Sequence, residues 1–586
     1  MRREERSAPR EASPTEAPEP GARSFVWGAW GLLTLAAMAF VARYGSEVPV
    51  WDDYVIVPVL AGDRPVTLDW LWAQANEHRI ALPKLILLCA DRLAGNDIRA
   101  GMFLSVATLA ALAASLIALA ARLPGGTHPS DAFLPLLLLH LGHATNLLWS
   151  YQLSVILPTA LGVAFLVPIV GRMSWPGPAT AVPAGLGLGL LPLCGGNGLM
   201  FVPALALWLL AASWAQARSG RPGGGRRGAL IALAVVPGLT LTSLYFVGFR
   251  KGLHPEAPGG AFDGLRAGLQ FLSVGVGMPA AMAWPWSGAA TLGLVASALG
   301  FLGRAWLRLP RERPRIFGLV AFLLAVLALA GAVGWGRGWA GDRAGFQDRY
   351  ITMATPLWCW MAFAFRLYAP TALSRLIPNV LFAALCVLAW PNVRDGIEHG
   401  RDISGRAEAL AQDLRSGVPA YRIVRRHTPF LHPSQDEAAR FLPILRRAGI
   451  GPFGSLRADP PFRETRWPLE PTSVSLARWE GTTAHVTGVD PQITFKLPGP
   501  RPVAGIRIKY SHANSQGAPG RFQLAWKRPD QPGYSDERRY ANWNLPTGEG
   551  KETTIWIDDT LDQFRIQPDN QPCEFRIDEI VILESS

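Results

Sequence analysis

Two adjacent carboxylates, Asp52 and Asp53, stand between Trp51 and Tyr54, a few residues after an apolar run at 24–42. An aspartate beside an apolar environment has the chemistry of a general base or a metal ligand. It is equally suited to cap a turn or a helix at a membrane interface. Neighbouring side chains rarely converge on one point, so at most one of the pair would be catalytic. A second polar cluster follows, in which Asn76, Glu77, His78, Arg79 and Lys84 interrupt an otherwise apolar stretch. Glu77 has the chemistry of an acid, a base or an acceptor from sugar hydroxyls. Arg79 and Lys84 have that of phosphate ligands, the arginine through its planar fork of donors. A solvated helix end with local ion pairs accounts for the same residues as economically. Late in the chain, the segment 339–350 places Arg343 and Arg349 directly against an apolar run. An arginine at that depth requires an anionic partner. Asp342, Asp348 and a lipid-linked phosphate are the candidates.

Polar residues inside apolar runs carry weaker signals. His140 and His143 have the i,i+3 spacing of one helical face, but two histidines alone make a poor metal site, and packing is the simpler role. Asn146, Trp149, Tyr151 and Gln152 follow at the end of that run. Gly195-Gly196-Asn197-Gly198 breaks the next apolar pattern. It is either a simple turn or a place where backbone and the Asn197 amide approach a ligand. No pair among the five cysteines has metal-ligand spacing, and they read as small buried residues. Phosphate-binding loops, dinucleotide fingerprints, nucleophile elbows and zinc helices are absent, so an ATP-driven pump is not indicated.

The elements that must position these residues follow from composition. The 586 residues are 49% apolar and only 17% charged, against about 25% charged in soluble domains. The mean hydropathy of +0.18 averages two unlike parts. Residues 24–391 are apolar runs broken by short basic loops, and 392–586 are polar and mixed. The net charge of +12 comes from arginines at the ends of apolar runs, a positive-inside pattern rather than a nucleic-acid surface. Spans are expected at 24–42, 100–121, 131–149, 153–171, 179–194, 198–215, 229–248, 288–307, 316–335, 350–368 and 373–391, about 11 in all. A cleaved signal peptide at the first run is disfavoured by the long, partly acidic segment before it. Residues 1–23 lack periodicity and read as a disordered cytoplasmic tail. The arginine-rich loops 216–228 and 304–315 belong inside, so 43–99, 249–287, 335–349 and everything after 391 belong outside. Loops as long as 43–99 and 249–287 are expected to be functional, the first with surface helices near 68–76 and 83–93.

Residues 392–471 read as a helical, then proline-rich linker, with helical texture at 404–417 and 436–448. From 472 to 586 seven or eight short alternating segments separated by Gly, Pro, Asn and Asp predict an all-β sandwich or jelly roll. On pattern it resembles a carbohydrate-binding module. Trp526, Trp543, Tyr534 and Tyr540 would stack on sugar rings or pack in the core.

The expected fold is therefore an α-helical polytopic membrane protein followed by an all-β domain. Trp51-Asp52-Asp53 after the first span, Asn76 to Arg79, Asn146 to Gln152, Gly196-Asn197-Gly198 and Asp348-Arg349-Tyr350 together resemble the GT-C class of multi-pass glycosyltransferases, and within it a group of poorly characterised bacterial members. The resemblance covers roughly 24–391 and rests on the order and placement of these pieces. It implies a sugar transferred from a polyprenyl phosphate to a glycan, lipid or protein acceptor on the outer face of a bacterial inner membrane. Asp52 or Asp53 would be the base, with Glu77 as a further catalytic candidate. Arg349 with Arg79, Lys84 or Arg343 would hold the donor phosphate. Asn76, His78, Gln152, Asn197 and Tyr350 would contact substrate. The resemblance calls for no cofactor, although one branch of the class uses a metal. The N-terminus would be cytoplasmic and the β-domain periplasmic or extracellular. A lipid-linked polysaccharide polymerase or ligase is the nearest rival, and a lipid or glycan transporter the next. No internal repeat supports the transporter.

Overall fold

The computed structural model describes residues 20–250, 260–515, 517 and 519–585. The expected tail at 1–23 lies almost wholly outside the described residues, as does part of the loop 249–287. Among the described residues eight helices are long and apolar enough to cross a membrane: Ala22–Tyr44, Arg99–Ala120, Ser150–Val170, Gly196–Ala217, Gly224–Tyr245, Trp286–Arg308, Pro310–Ala340 and Thr371–Arg415. They correspond to eight of the eleven expected spans.

The other three expected spans take different forms. The segment 179–194 is a shorter apolar helix, Pro178–Cys194. Tyr350–Tyr368 is a helix buried along nearly its whole length. It occupies the bundle centre, where Trp360 donates its indole N–H to the Leu319 carbonyl at 2.9 Å and Trp358 donates to Leu272 at 3.1 Å, so the polar atoms of both rings are satisfied. The span expected at 131–149 is not one helix. It breaks into Pro129–Ala132, Phe133–Leu139, Leu141–His143 and Ala144–Leu147. His140 sits at the break with φ −70° and ψ 152°, its Nδ1 accepting from the Gly142 N–H at 3.1 Å. A side chain that captures a nearby backbone donor competes with the helix ladder. The two histidines therefore do not share a helical face as expected, although their rings meet at 4.4 Å across the turn.

The arginine-rich loops gather at one end of the bundle. There Arg366 bonds the Asp131 carboxylate at 2.6 Å and the Ala120 and Gly126 carbonyls. At the same end Arg315 pairs with Glu312 at 2.9 Å and donates to the Arg172 carbonyl. Residues 43–99, the 149–152 and 195–196 turns, Tyr245 and Arg349 meet at the opposite end.

The helical texture expected at 404–417 and 436–448 falls in the helices Thr371–Arg415 and Gln435–Ala448. The helix Thr371–Arg415 has 45 residues, about 65 Å at 1.5 Å per residue, and so projects well beyond a bilayer core. Ala420–His427 and Gln435–Ala448 pack beside its far end. The latter begins at Ser434, whose side chain accepts from the Glu437 N–H, and ends at Gly449 with φ +61°, both strong cap signals. Leu410, Val424, Phe441 and Leu442 share one core with Val48, Tyr54, Val59, Leu87 and Leu88 of the first loop. Tyr54 and Phe441 stack at 4.5 Å, and the Trp51 N–H donates to the Leu431 carbonyl at 2.8 Å.

The β-domain starts earlier than 472. Its strands are β1 (Phe462–Trp467), β2 (Ser473–Ser475), β3 (Ala477–Glu480), β4 (Thr483–Val486), β5 (Gln492–Asn514), β6 (Gly520–Lys527), β7 (Arg539–Leu545), β8 (Gly548–Gln567) and β9 (Cys573–Ser585). All pair antiparallel, in the order β3-β4-β9-β5-β8-β6-β7, with β1 on β9 and β2 on β5. Two of these strands are far longer than the short segments that alternation suggests, β5 with 23 residues and β8 with 20. The register slips between Lys496 and Arg501, where Pro498, Pro500 and Pro502 remove ladder donors. The result is one hydrogen-bonded network around one core. Of the aromatics considered for sugar, Trp526 and Tyr540 are buried in that core. Tyr534 lies under Arg565 at 4.4 Å, and Trp543 is exposed with Arg521 over its ring at 5.4 Å.

Candidate functional site

Asp52 and Asp53 lie in a short 3-10 turn, Trp51–Val55, directly after the first long helix and its connection. Trp51 enters the turn with φ +51°, a conformation that costs a bulky residue about 1 kcal/mol or more. It is held there by its N–H bond to Leu431 and by its indole, which donates to the Pro429 carbonyl at 3.0 Å. This geometry turns the two carboxylates apart. Asp53 points inward and is 4% exposed. One oxygen accepts from the Val50 N–H at 3.0 Å and the other from the Tyr151 N–H at 3.0 Å. Burial pushes its carboxyl up to about 7, with the two amides opposing the rise and Asp52 adding to it. Asp53 thus ties the turn to the start of the 150–170 helix.

Asp52 is half-buried at the opening. Its Oδ1 accepts from the Asn76 amide at 3.1 Å, and its Oδ2 accepts nothing among the described residues. Burial raises its carboxyl above the ordinary range, while the Asn76 donor and the Arg349 charge pull it back. Asn76 sits at φ +51° in a tight turn closed by two bonds between Ala75 and His78. Asparagine tolerates that conformation better than other side chains, which is why the turn projects an amide at Asp52.

His78 stands on the other limb of this turn. The Gly196 N–H donates to its Nδ1 at 3.3 Å. Gly195 has φ +93°, and a Cβ there would meet Ile80 at 3.1 Å and His78 at 3.4 Å, so the glycine pair lets backbone lie against the ring. Burial lowers the His78 pKa, Glu77 opposes, and Arg337 and Arg349 lower it further. The lowered pKa favours the neutral ring near pH 7. Arg337 is the residue that sequence reasoning passed over. Its signal was there, since it closes an apolar run in the same loop as Arg349.

Arg349 is half-buried with its guanidinium over the Tyr350 ring at 5.6 Å. Asn146, fully buried, donates to the Arg349 carbonyl at 2.9 Å and to Thr352 at 2.7 Å and so sets the start of the central helix. Asp342 is taken by Arg266 at 2.8 Å, and Arg343 donates to the Ala281 carbonyl at 3.2 Å away from Asp52. Gln152 is buried with its Oε1 unpartnered among the described residues. Asn197 is half-buried in the 196–199 turn, and Tyr350 packs on Phe271 at 5.6 Å.

Arg79 and Lys84 are placed differently from the other cations. Arg79 donates to the carbonyls of Trp72, Tyr245 and Val247 at 2.7, 2.9 and 2.8 Å. Lys84, 1% exposed, donates to those of Trp70 and Ala73 at 2.9 and 2.8 Å. Both act as clasps that hold the loop together. Tyr245 completes the Arg79 clasp, its hydroxyl accepting from the Arg79 N–H and donating to the Glu77 carbonyl. The arrangement therefore offers one half-buried carboxylate of raised pKa held by Asn76, and an imidazole acted on by the charges of Arg337 and Arg349.

No family model matches this chain, and no curated protein matches it. Among solved structures it is similar to a mutant of the arabinofuranosyltransferase AftD from mycobacteria at a TM-score of 0.31 and 12% identity, covering 96% of this chain and 60% of that one. A second AftD structure gives a TM-score of 0.30 and 12% identity, covering 96% and 58%. The chain thus spans about three-fifths of the length of those structures.

Proposed function

We propose that this protein is a membrane glycosyltransferase that moves a sugar from a polyprenyl phosphate to an acceptor hydroxyl, with Asp52 as general base. The observation that carries the reading is the state of Asp52. It is half-buried, steadied on one oxygen by Asn76, open on the other, and faced by Arg349. A carboxylate whose pKa is raised toward working pH is a better proton acceptor. Asp52 takes the acceptor hydroxyl proton as that oxygen bonds to the anomeric carbon. The bond from that carbon to the phosphate oxygen breaks, and the pair leaves on the phosphate. Arg349 and Arg337 stabilise the leaving charge. Neutral His78 and Asn76 orient the sugar. The site lies at the end opposite the arginine-rich loops, so the positive-inside rule supports transfer on the outer face of a bacterial inner membrane, with the β-domain beside it.

The test is a donor assay on the purified full-length protein in detergent, with a panel of radiolabelled polyprenyl-phosphate sugars. Wild type should release label from one donor class, and Asp52→Asn should fold but lose transfer by a factor of about 100 or more. Full activity in Asp52→Asn, with loss in Arg349→Gln, would replace this mechanism with a polymerase or ligase that uses only the arginines.

A further inference from the structure

A second cluster lies within the β-domain. His512 near the end of β5, Asp569 in the connection after β8 and Cys573 at the start of β9 are all buried. In the β5–β9 ladder His512 faces Phe575 and Asn514 faces Cys573. Cys573 and Phe575 are two apart on one strand, so they share a face, and His512 and Cys573 are diagonal neighbours on it. Asp569 reaches the same point from the turn before β9. One nitrogen, one carboxylate oxygen and one sulfur lie within 4.8 Å of one another.

His512 supplies the independent observation. Its side chain is completely buried, yet neither ring nitrogen has a hydrogen-bond partner among the described residues. Nε2 lies 3.3 Å from Asp569 Oδ2, but not in line for a hydrogen bond. An unpartnered buried imidazole is costly. Asp569 is the opposite case. The Arg521 and Asn570 N–H groups donate to its Oδ1, and the Gln571 amide donates to Oδ2. These donors fix its orientation, as outer partners do for metal-ligating carboxylates. Gly520 lets both side chains lie close against its backbone, since a Cβ there would fall 2.9 Å from Asp569 Oδ2 and collide with the His512 ring.

We propose that His512, Asp569 and Cys573 bind a zinc ion that clips the end of β5 to the β8–β9 connection. A mixed nitrogen, oxygen and sulfur set suits zinc, whereas calcium and magnesium take oxygen ligands in larger number. Bond lengths of about 2.0 to 2.3 Å place tetrahedral ligands roughly 3.5 Å apart, so the three side chains need only close by small rotations. The thiol proton leaves to solvent as the sulfur bonds the metal. Thiolate and carboxylate then balance the ion's two positive charges, and the buried site is neutral. A water or a carbonyl takes the fourth position.

Untagged full-length protein, equilibrated with zinc and desalted, should carry about one tightly held zinc per chain. His512→Ala and Cys573→Ser should lose it, and a chelator should lower the melting temperature of wild type but not of the variants. Equal zinc content in wild type and variants would overturn the proposal. If the variants fail to fold, wild type loaded with cobalt decides alone. A thiolate-to-cobalt charge-transfer band supports the site, and an octahedral aquo-like spectrum overturns it. Neither readout depends on glycosyl transfer.

Discussion

Asp53 and Tyr151 are joined side chain to backbone, a carboxylate oxygen accepting the tyrosine N–H at 3.0 Å across 98 residues of chain. The bond fastens the turn after the first helix to the start of a distant one. It ties Asp53 into the architecture, and under the proposed mechanism Asp52 alone is left for chemistry.

The two aspartates should therefore fail differently. Asp52→Asn is expected to melt like wild type and lose transfer. Asp53→Asn keeps one acceptor oxygen for two inward-facing donors and should lose about 1–3 kcal/mol of stability. The Asp53 carboxyl rises from 3.8 to about 7 on folding, so the folded state holds the proton more tightly. Its contribution to stability is complete below pH 4 and is lost as pH rises through about 7. Melting curves from pH 4 to 8 should show wild type losing ground relative to Asp53→Asn over that window. A constant difference would contradict the assignment.

Arg349 lowers the Asp52 pKa that burial has raised. Removing the charge in Arg349→Gln should raise that pKa further and move the rising limb of the rate–pH profile to higher pH. Arg349→Lys should move it less. A structural role alone would reduce the rate at every pH without shifting the limb.

Arg79 satisfies three carbonyls from a buried position. Arg79→Ala would leave them unpaired and should cost on the order of 3 kcal/mol, read as a lowered melting temperature in detergent. A large rise in donor KM at unchanged melting temperature would instead return Arg79 to the phosphate.

The β-domain is held to the helical layer by Asp436, which accepts from the Thr553 hydroxyl at 2.5 Å and the Thr554 N–H at 2.9 Å. Asp436→Ala should loosen this joint by about 2 kcal/mol. Limited proteolysis near 456–461 should then release the β-domain faster than in wild type. Equal release rates would place the joint elsewhere, for instance at Arg422 and Asp558, 2.9 Å apart.

The sequence alone determined the apolar spans, the basic loops between them and the β character of the tail, because hydropathy, charge runs and two-residue alternation are local properties. It also brought Asp52, Asn76, His78 and Arg349 to notice as polar residues at apolar boundaries. Only the tertiary structure separated Asp52 from Asp53, because the difference lies in the Tyr151 amide, which spacing does not reveal. It turned Arg79 and Lys84 inward, because whether a cation meets a carbonyl or the opening depends on how the loop closes. The broken segment at His140 and the packing of Gln435–Ala448 on the first loop were hidden for the same reason, since local periodicity says nothing about distant partners. The His512, Asp569 and Cys573 cluster has no sequence spacing to betray it. It exists because an antiparallel ladder sets residues 512 and 573 on one face.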